Sequence, residues 1–430
     1  MWINVVKKIR YLIPLRYQWI LDHGGFRRYF FNTGWLLGGQ FISLLLSFFI
    51  GAWVARYFGP SNYGLVSFVV AFIGLFSFLN SLGLDSIIHR ELVNHPDNQA
   101  KLLGTALRMR IYGAGLAFFV SGILAIFIGD SQLVKILIFF YSISFFFQAP
   151  LIISAFFYSQ IRAKQVIKAR LLAVFISSIC KIILILLGGG VIWLLLIYIL
   201  DSFWQSLFLI RFYRAQGLKL STWNFDIKLS RHLWHDSWPL MLSSAAAFIY
   251  LRIDQVMIGW FMGRESVGIY AASVKLTEVF YFIPGIICGS LFSALVNARN
   301  TNKLVYRDRL RRLYFLLTIL GLIISLVVTP LAGKFIDLIF GPEYLAATSI
   351  LKIYIWSSIG LFLGTAISYQ LTAENRTREI FVINLVAMII NIVLNIYLIP
   401  FLGLSGAAAS TLLAYSFAPL WLLFRRVFNK

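Results

Sequence analysis

The chain has 430 residues, of which 60% are hydrophobic, 17% aromatic and only 13% charged. A soluble domain carries about 25% charged residues, so a soluble globular enzyme and a disordered chain are both excluded. The formal charge of +22 comes from 38 Lys and Arg against 16 Asp and Glu. In a soluble protein that balance points to nucleic acid, and in a membrane protein to basic loops on one face.

Apolar stretches of roughly 20 residues cross a hydrocarbon core of about 30 Å. Residues 1–31 precede them as a basic segment, with Lys7, Lys8, Arg10 and Arg16 among Trp2, Ile9, Leu12 and Trp19. This pattern reads as an ordinary charged flank or as an amphipathic helix lying on the inner leaflet. No small-residue cleavage site marks it as a signal peptide. The predicted spans are then 33–57, 64–88, 105–128, 136–158, 171–187 and 191–210, followed by 238–260, 269–295, 313–332, 347–370, 380–400 and 405–424. With the N-terminus inside, one face of the membrane receives 30 of the Lys and Arg residues, counting Arg108 and Arg110 at the edge of the third span, and the other only Arg56, Lys135, Arg264 and Lys334. Twelve spans with both ends in the cytoplasm follow from that asymmetry. The longest outer connection is expected at about 330–345, and no soluble domain is expected anywhere.

The first outer turn reads FGPSNYGL from Phe58 and the fourth reads MGRESVGI from Met262. Gly59 aligns with Gly263 and Gly64 with Gly268, both at a spacing of 204. A missing side chain permits close approach or positive φ at such turns. The repeat maps spans 1–6 onto 7–12 in parallel orientation. The expected organisation is a six-helix lobe at 32–212, a cytoplasmic linker at 213–236, a second lobe at 237–424 and a tail at 425–430. Two parallel halves of this kind are a transporter architecture.

Familiar catalytic motifs are missing. No GxxxxGK[ST] phosphate loop occurs, and Gly188–Gly190 lacks the Lys and hydroxyl that would follow. His232 and His235, three apart in the linker, are not expected to hold a metal, and Cys180 and Cys288 sit in apolar runs. No metal site, no catalytic residue and no cofactor is expected. Basic residues spread over seven segments disfavour nucleic acid.

Charges inside spans are costly and are functional hypotheses by default. At 1.5 Å per residue, Lys181, Lys275 and Lys352 each lie roughly 9 Å from the outer end of their helices, and Arg252 about 12 Å. Four cations in one layer suit an anionic passenger. Fixed pairing within the protein is the alternative, with Lys275 and Glu278 three residues apart on one helix face. Arg56, at a helix end, is read as an interface anchor or as a further binding cation. Asp254, Glu278, Asp201 and Asp85 are candidates for cation coupling or for structural pairs. Pro150, and Pro284 with Gly285, mark kinks or hinges in the fourth and eighth spans.

The segments VARYFGPSNYGL (from Val54), LNSLGLDSIIHREL (from Leu79), YLRIDQVMIGWFMGRESVGIYAASVKLTEVFYFIP (from Tyr250) and FGPEYLAATSILKIY (from Phe340) resemble the bacterial polysaccharide transporter family, which includes the Wzx O-antigen flippases. That family belongs to the multidrug/oligosaccharidyl-lipid/polysaccharide exporter superfamily. The resemblance runs from Asn32 to the end. It implies an all-α membrane protein of about twelve helices, in two parallel six-helix lobes around a central cavity. It implies a flippase in lipopolysaccharide or related polysaccharide biosynthesis, moving an undecaprenyl-diphosphate-linked oligosaccharide across the bacterial inner membrane by alternating access. It also implies cationic cavity residues that engage the passenger, a polysaccharide polymerase as the next partner, and a cycle driven by protons, sodium or the membrane potential. A multidrug antiporter of the same superfamily is the rival reading, and a membrane polymerase or ligase a more distant one. Arg252 and Asp254 lie in a matched segment.

Overall fold

In hydrocarbon every backbone N–H and C=O must be satisfied inside its own segment, which leaves helices as the solution for a chain this apolar. The computed structural model describes residues 24–128 and 131–428. Lys7, Lys8, Arg10, Arg16, their aromatic neighbours and Lys430 therefore lie outside the described residues. Among the described residues there is no strand. Among the same residues ten helices are long and apolar enough to span a membrane. Two of them bend sharply, α1 (Gly24–Gly74) at Gly59 and the last helix (Thr377–Phe428) at Gly403, and each makes two passes. Twelve passes result.

The second pass continues through α2 (Ser77–Ser81) and α3 (Leu84–Asn94), and α4 (Gln99–Ile128) is the third. The fourth is α5 (Gln132–Ser142), α6 (Ser144–Gln148) and α7 (Ile153–Ser159). The fifth and sixth are α8 (Ala163–Leu186) and α9 (Val191–Arg214). In the second half, α10 (Ile227–Met262) is the seventh pass, and α11 (Arg264–Glu278) with α12 (Phe282–Thr301) the eighth. The ninth pass is α13 (Lys303–Phe340), the tenth α14 (Ala347–Tyr354) with α15 (Ser357–Ala373), and α16 (Thr377–Phe428) supplies the last two.

Several helices run past their expected spans, α8 from Ala163 and α13 from Lys303 among them, and two of the differences reshape a connection. The start of α10 reaches back to Ile227, because the Asp226 side chain accepts from the Leu229 N–H and caps the helix inside the expected linker. The ninth pass runs straight through Pro330 to Phe340, so the outer connection at 330–345 shrinks to a 3₁₀ turn at Pro342–Tyr344.

The repeat is visible in the backbone. Gly59 (φ 67, ψ 171) and Gly263 (φ 85, ψ 178) adopt the same left-handed turn. The helix breaks repeat as well. The second pass is interrupted at Leu75–Phe76 and the eighth at Val279–Tyr281, whose positions 279 and 280 lie 204 residues further on. Pro150 sits in a 3₁₀ turn at Ala149–Ile152, and the tenth pass breaks at Ile355–Trp356, 204 residues beyond 151 and 152.

Packing of the two halves is uneven. One buried core, holding Val54, Phe68, Leu194, Ile258, Val267, Phe340 and Ala407, runs through both halves at the end of the Gly59 and Gly263 turns. Towards the basic end the cores separate. One, around Ile88, Phe156 and Leu209, contains first-half residues and the Trp223–Leu233 connection, and two others contain second-half residues alone. The halves are joined at the glycine-turn end; further towards the basic end the Phe41 ring of α1 meets Phe282 of α12 at 5.4 Å, and the start of α10 leans on the first half. There Gly83 approaches the backbone of Ser237 and Met241, and Arg90 pairs with Asp236 at 2.5 Å. Large side chains such as Phe401, 82% exposed, and Leu187, 80% exposed, form an apolar exterior suited to lipid.

Candidate functional site

A cavity of about 430 Å³ lies between the halves where their cores diverge. The first half contributes Tyr63, Ser67, Ala71, Gly74, Gln148 and Tyr198, and the second half Gln255, Arg252, Lys275 and Glu278. All three charges therefore come from α10 and α11. Their repeat counterparts 204 residues earlier are Phe48, Ala71 and Gly74, uncharged residues of α1. Small side chains of one half make room for the charged ones of the other. A methyl group on Gly51 would lie 1.9 Å from Lys275 Nζ.

Lys275 donates to Tyr63 Oη at 3.4 Å and stands 5.7 Å from the centre of that ring. Among the described residues no carboxylate comes within ion-pair distance of it. Arg252 pairs with Glu278 at 3.2 Å, and both side chains keep about a third of their surface exposed. The Lys275–Glu278 pair open from the sequence is thus replaced by a bridge from α10 to α11. The cavity holds one carboxylate paired with a cation and one ammonium without a carboxylate partner.

The other sequence candidates are dispersed. Lys181 lies over the Tyr198 ring at 4.5 Å, behind the cavity wall. Lys352 is exposed, because Ile350, Leu351 and Tyr354 occupy the buried side of α14. The inward-facing layer of four cations is corrected on this point: rise per residue sets depth but not rotation about the helix axis. Arg56 is exposed at the glycine-turn end beside Gly341.

Asp254 is 1% exposed and lies inside the second half, not on the cavity wall. Its carboxylate accepts from Tyr270 Oη at 2.6 Å, from Thr411 Oγ1 at 3.4 Å and from the Gln255 N–H at 2.8 Å. All its partners are neutral donors, drawn from α10, α11 and α16. Asp201 accepts from Ser177 Oγ at 2.7 Å between α8 and α9. Asp85 pairs with the buried Arg110 at 2.5 Å in a second space of about 290 Å³. That space shares Ser77, Gln148 and Phe248 with the central cavity and extends it within the first half.

Pro284 and Gly285 lie in the first turn of α12, where a missing N–H costs no helical bond. The break just before them is bridged by i to i−3 bonds, Phe280 N to Thr277 O at 3.0 Å and Tyr281 N to Glu278 O at 3.1 Å. Glu278 is the last residue of α11, so the break lies directly beside the cavity. Tyr63, Tyr198, Gln148 and Gly51 were not singled out by sequence. Their type is common in apolar helices, and only the turn placed against Gly64 brings Tyr63 to Lys275.

The sequence profile of the family described as polysaccharide biosynthesis protein matches residues 53–349. The chain belongs to that family. Among relatives it is 27% identical over 207 residues to Probable flippase AglR of Haloferax volcanii, covering 47% of this chain and 40% of the relative. Over 192 residues it is 22% identical to Probable low-salt glycan biosynthesis flippase Agl15 of the same organism, covering 44% and 41%. The match spans about two-fifths of the length of these relatives. The polysaccharide biosynthesis family member shares its fold with the lipid II flippase MurJ in an inward closed conformation (TM-score 0.70, 19% identity, 90% of this chain and 86% of that one). It also shares it with an inward-facing multidrug resistance MATE transporter of the MOP superfamily (TM-score 0.70, 14% identity, 90% and 94%). The all-α, two-lobed membrane fold expected from the resemblance is therefore the fold of this chain.

Proposed function

We propose that this member of the polysaccharide biosynthesis family is a flippase for a lipid-linked oligosaccharide. The observation that carries the reading is Lys275, a cavity cation with no carboxylate partner, beside an Arg252 held by Glu278. A phosphate or diphosphate headgroup would supply the missing anion. Serine, glutamine and tyrosine side chains around it offer hydrogen bonds to sugar hydroxyls. The finer reading is an undecaprenyl-diphosphate-linked repeat unit of O-antigen or a similar polysaccharide. The names of the two Haloferax volcanii relatives support a flippase, and that of Agl15 a glycan one, without specifying the carrier lipid.

The cycle is alternating access. The halves are joined at the glycine-turn end and diverge at the basic end, and the Lys and Arg asymmetry supports a cytoplasmic side for that end, in the inner membrane of a bacterium on this reading. In this arrangement the cavity receives its passenger from the cytoplasmic leaflet. The breaks beside Pro284–Gly285 and Pro150 are the proposed hinges. No bond is made or broken, so the protein acts without catalytic residues, hands its passenger to a polymerase, and draws on a proton or sodium gradient through Asp254. A drug-cation antiporter would instead need a free carboxylate in the cavity, and Glu278 is tied to Arg252.

Deletion in the native host tests the reading. Loss of surface polymer with complete lipid-linked units trapped in the inner leaflet is expected. Units that reach the outside and stay unjoined would point to a polymerase. Normal polymer with new drug sensitivity would point to an antiporter.

A further inference from the structure

A larger space, about 840 Å³, opens at the basic end of the second half, away from the central cavity. It is formed where α12 ends, α13 begins, and α15 passes into α16. Five cations line it: Arg299, Lys303, Arg307, Arg311 and Arg376. Glu374 is its one carboxylate, and that group is fully engaged. It accepts from Tyr306 Oη at 3.0 Å, Gln370 Nε2 at 2.8 Å and Arg376 Nη1 at 2.7 Å. Arg299 donates to the terminal carbonyls of Ala373 and Glu374 and anchors the wall.

Lys303, Arg307 and Arg311 are different. They recur every four residues, so one face of α13 carries all three. Each is exposed, and among the described residues none has a hydrogen-bond or ion-pair partner. Asp308 pairs with Arg312, and Arg309 donates to the Ala294 carbonyl, so the neighbouring charges are spent elsewhere.

Comparison of the halves argues against an ordinary basic flank. In the first half, 204 residues earlier, the same positions are Gln99, Leu103 and Leu107. The cations that do occur near the start of α4 are satisfied: Lys101 pairs with Asp226 at 2.5 Å, Arg110 with Asp85 at 2.5 Å, and Arg108 lies over the Phe225 ring. The first-half space beside α4 holds Arg170 and the paired Arg110, whereas the second-half space gathers three cations on one helix face, unpartnered among the described residues.

We propose that this space is a second anion site, built for a phosphate group and separate from the translocation cavity. Three mobile donors on one helix face, backed by two fixed guanidinium groups, match the several oxygens of a phosphate. The phosphate has two sources, the headgroup of an anionic lipid in the adjoining leaflet or a soluble phosphate compound. Occupation would tie the end of α12 to the start of α13 and to α15, and so would stiffen the half that carries Arg252 and Lys275.

The test uses the purified full chain in nanodiscs of phosphatidylcholine. Short-chain phosphatidylglycerol and inorganic pyrophosphate are titrated separately, and binding is followed by native mass spectrometry and thermal stabilisation. The pocket variant combines Lys303→Gln, Arg307→Gln and Arg311→Gln. A control variant removes equal charge from the exposed end of α9 and the connection after it through Arg211→Gln, Arg214→Gln and Lys219→Gln. At least a tenfold loss of affinity in the pocket variant alone is expected. Binding of phosphatidylglycerol without pyrophosphate assigns the site to lipid, and the reverse assigns it to a soluble phosphate. Equal loss in both triple variants, or no binding of either probe by the unmodified chain, overturns the proposal. Neither outcome bears on whether the central cavity moves a glycan. A single Arg307→Glu variant serves if the triple variant does not fold.

Discussion

Gly64 and Gly268 meet across the boundary between the two halves. A methyl group on Gly64 would lie 1.8 Å from the Arg264 carbonyl oxygen, and one on Gly268 would lie 2.0 Å from the Pro60 carbonyl oxygen. Pro60 and Arg264 are themselves 204 residues apart, so the two contacts are reciprocal. The halves are thus related by an approximate two-fold axis that passes between these glycines, as two parallel repeats require.

Backbone sits against backbone here, and no side chain can swing away to admit a larger residue. Gly64→Leu or Gly268→Leu therefore forces the glycine-turn end apart, at a cost of about 1–3 kcal/mol or more. A lower Tm of the purified variant and reduced export are expected. Gly38→Leu, with open space around the added group, is the comparison. Equal Tm values for the Gly64 and Gly38 variants would contradict the contact.

Lys275 and Tyr63 form the second contact between halves that bears on function. Lys275→Ala is expected to lower export roughly tenfold to hundredfold, the effect of a lost charged hydrogen bond of about 1.5–3 kcal/mol, at normal protein abundance. Gly51→Ala removes no charge but takes the space of the ammonium, so export should fall while Lys275 remains. Export by Gly51→Ala at the unmodified level would separate Lys275 from this seat.

Asp254 tests the coupling proposal. Its carboxylate has only the neutral hydroxyls of Tyr270 and Thr411 and a backbone N–H as partners. Asp254→Asn keeps the size of the group and cannot carry the charge. Transport in sealed vesicles by this variant should no longer respond to an imposed proton or sodium gradient. An unchanged gradient response would assign Asp254 to structure.

Outside the membrane, Lys101 and the Leu229 N–H hold the Asp226 carboxyl down at about 2, below its ordinary 3.8. A depressed folded-state value means that the ionised group contributes stability above pH 3.8, and that this contribution is lost as pH falls through about 2. Asp226→Asn retains a helix cap and removes the ion pair. The pH dependence of Tm between 4 and 2 should flatten in the variant. Identical slopes would show that Asp226 contributes nothing there.

Much of the architecture was legible from hydropathy and charge because lipid imposes both. Apolar length set the passes, and the glycine spacing placed Gly59 with Gly263 and Gly64 with Gly268. The site was legible only in part. Depth along a helix brought Arg252 and Lys275 into consideration, yet it carried Lys352 along with them, since rotation depends on which neighbours bury Ile350 and Leu351. The choice of Arg252 over Lys275 as the partner of Glu278 depends on how α10 and α11 cross, which no local pattern encodes. Tyr63 and Gly51 acquire meaning only from the packing of α1 against α11.

The central claim is that a lipid-linked glycan crosses the membrane through the cavity containing Lys275. Proteoliposomes loaded with lipid-linked oligosaccharide from the native host, assayed by external periodate oxidation of the sugar, test it most directly. The unmodified protein should convert a protected inner pool into an accessible one, and Lys275→Ala should leave that pool protected. Equal conversion by both proteins, or by liposomes without protein, would contradict the account.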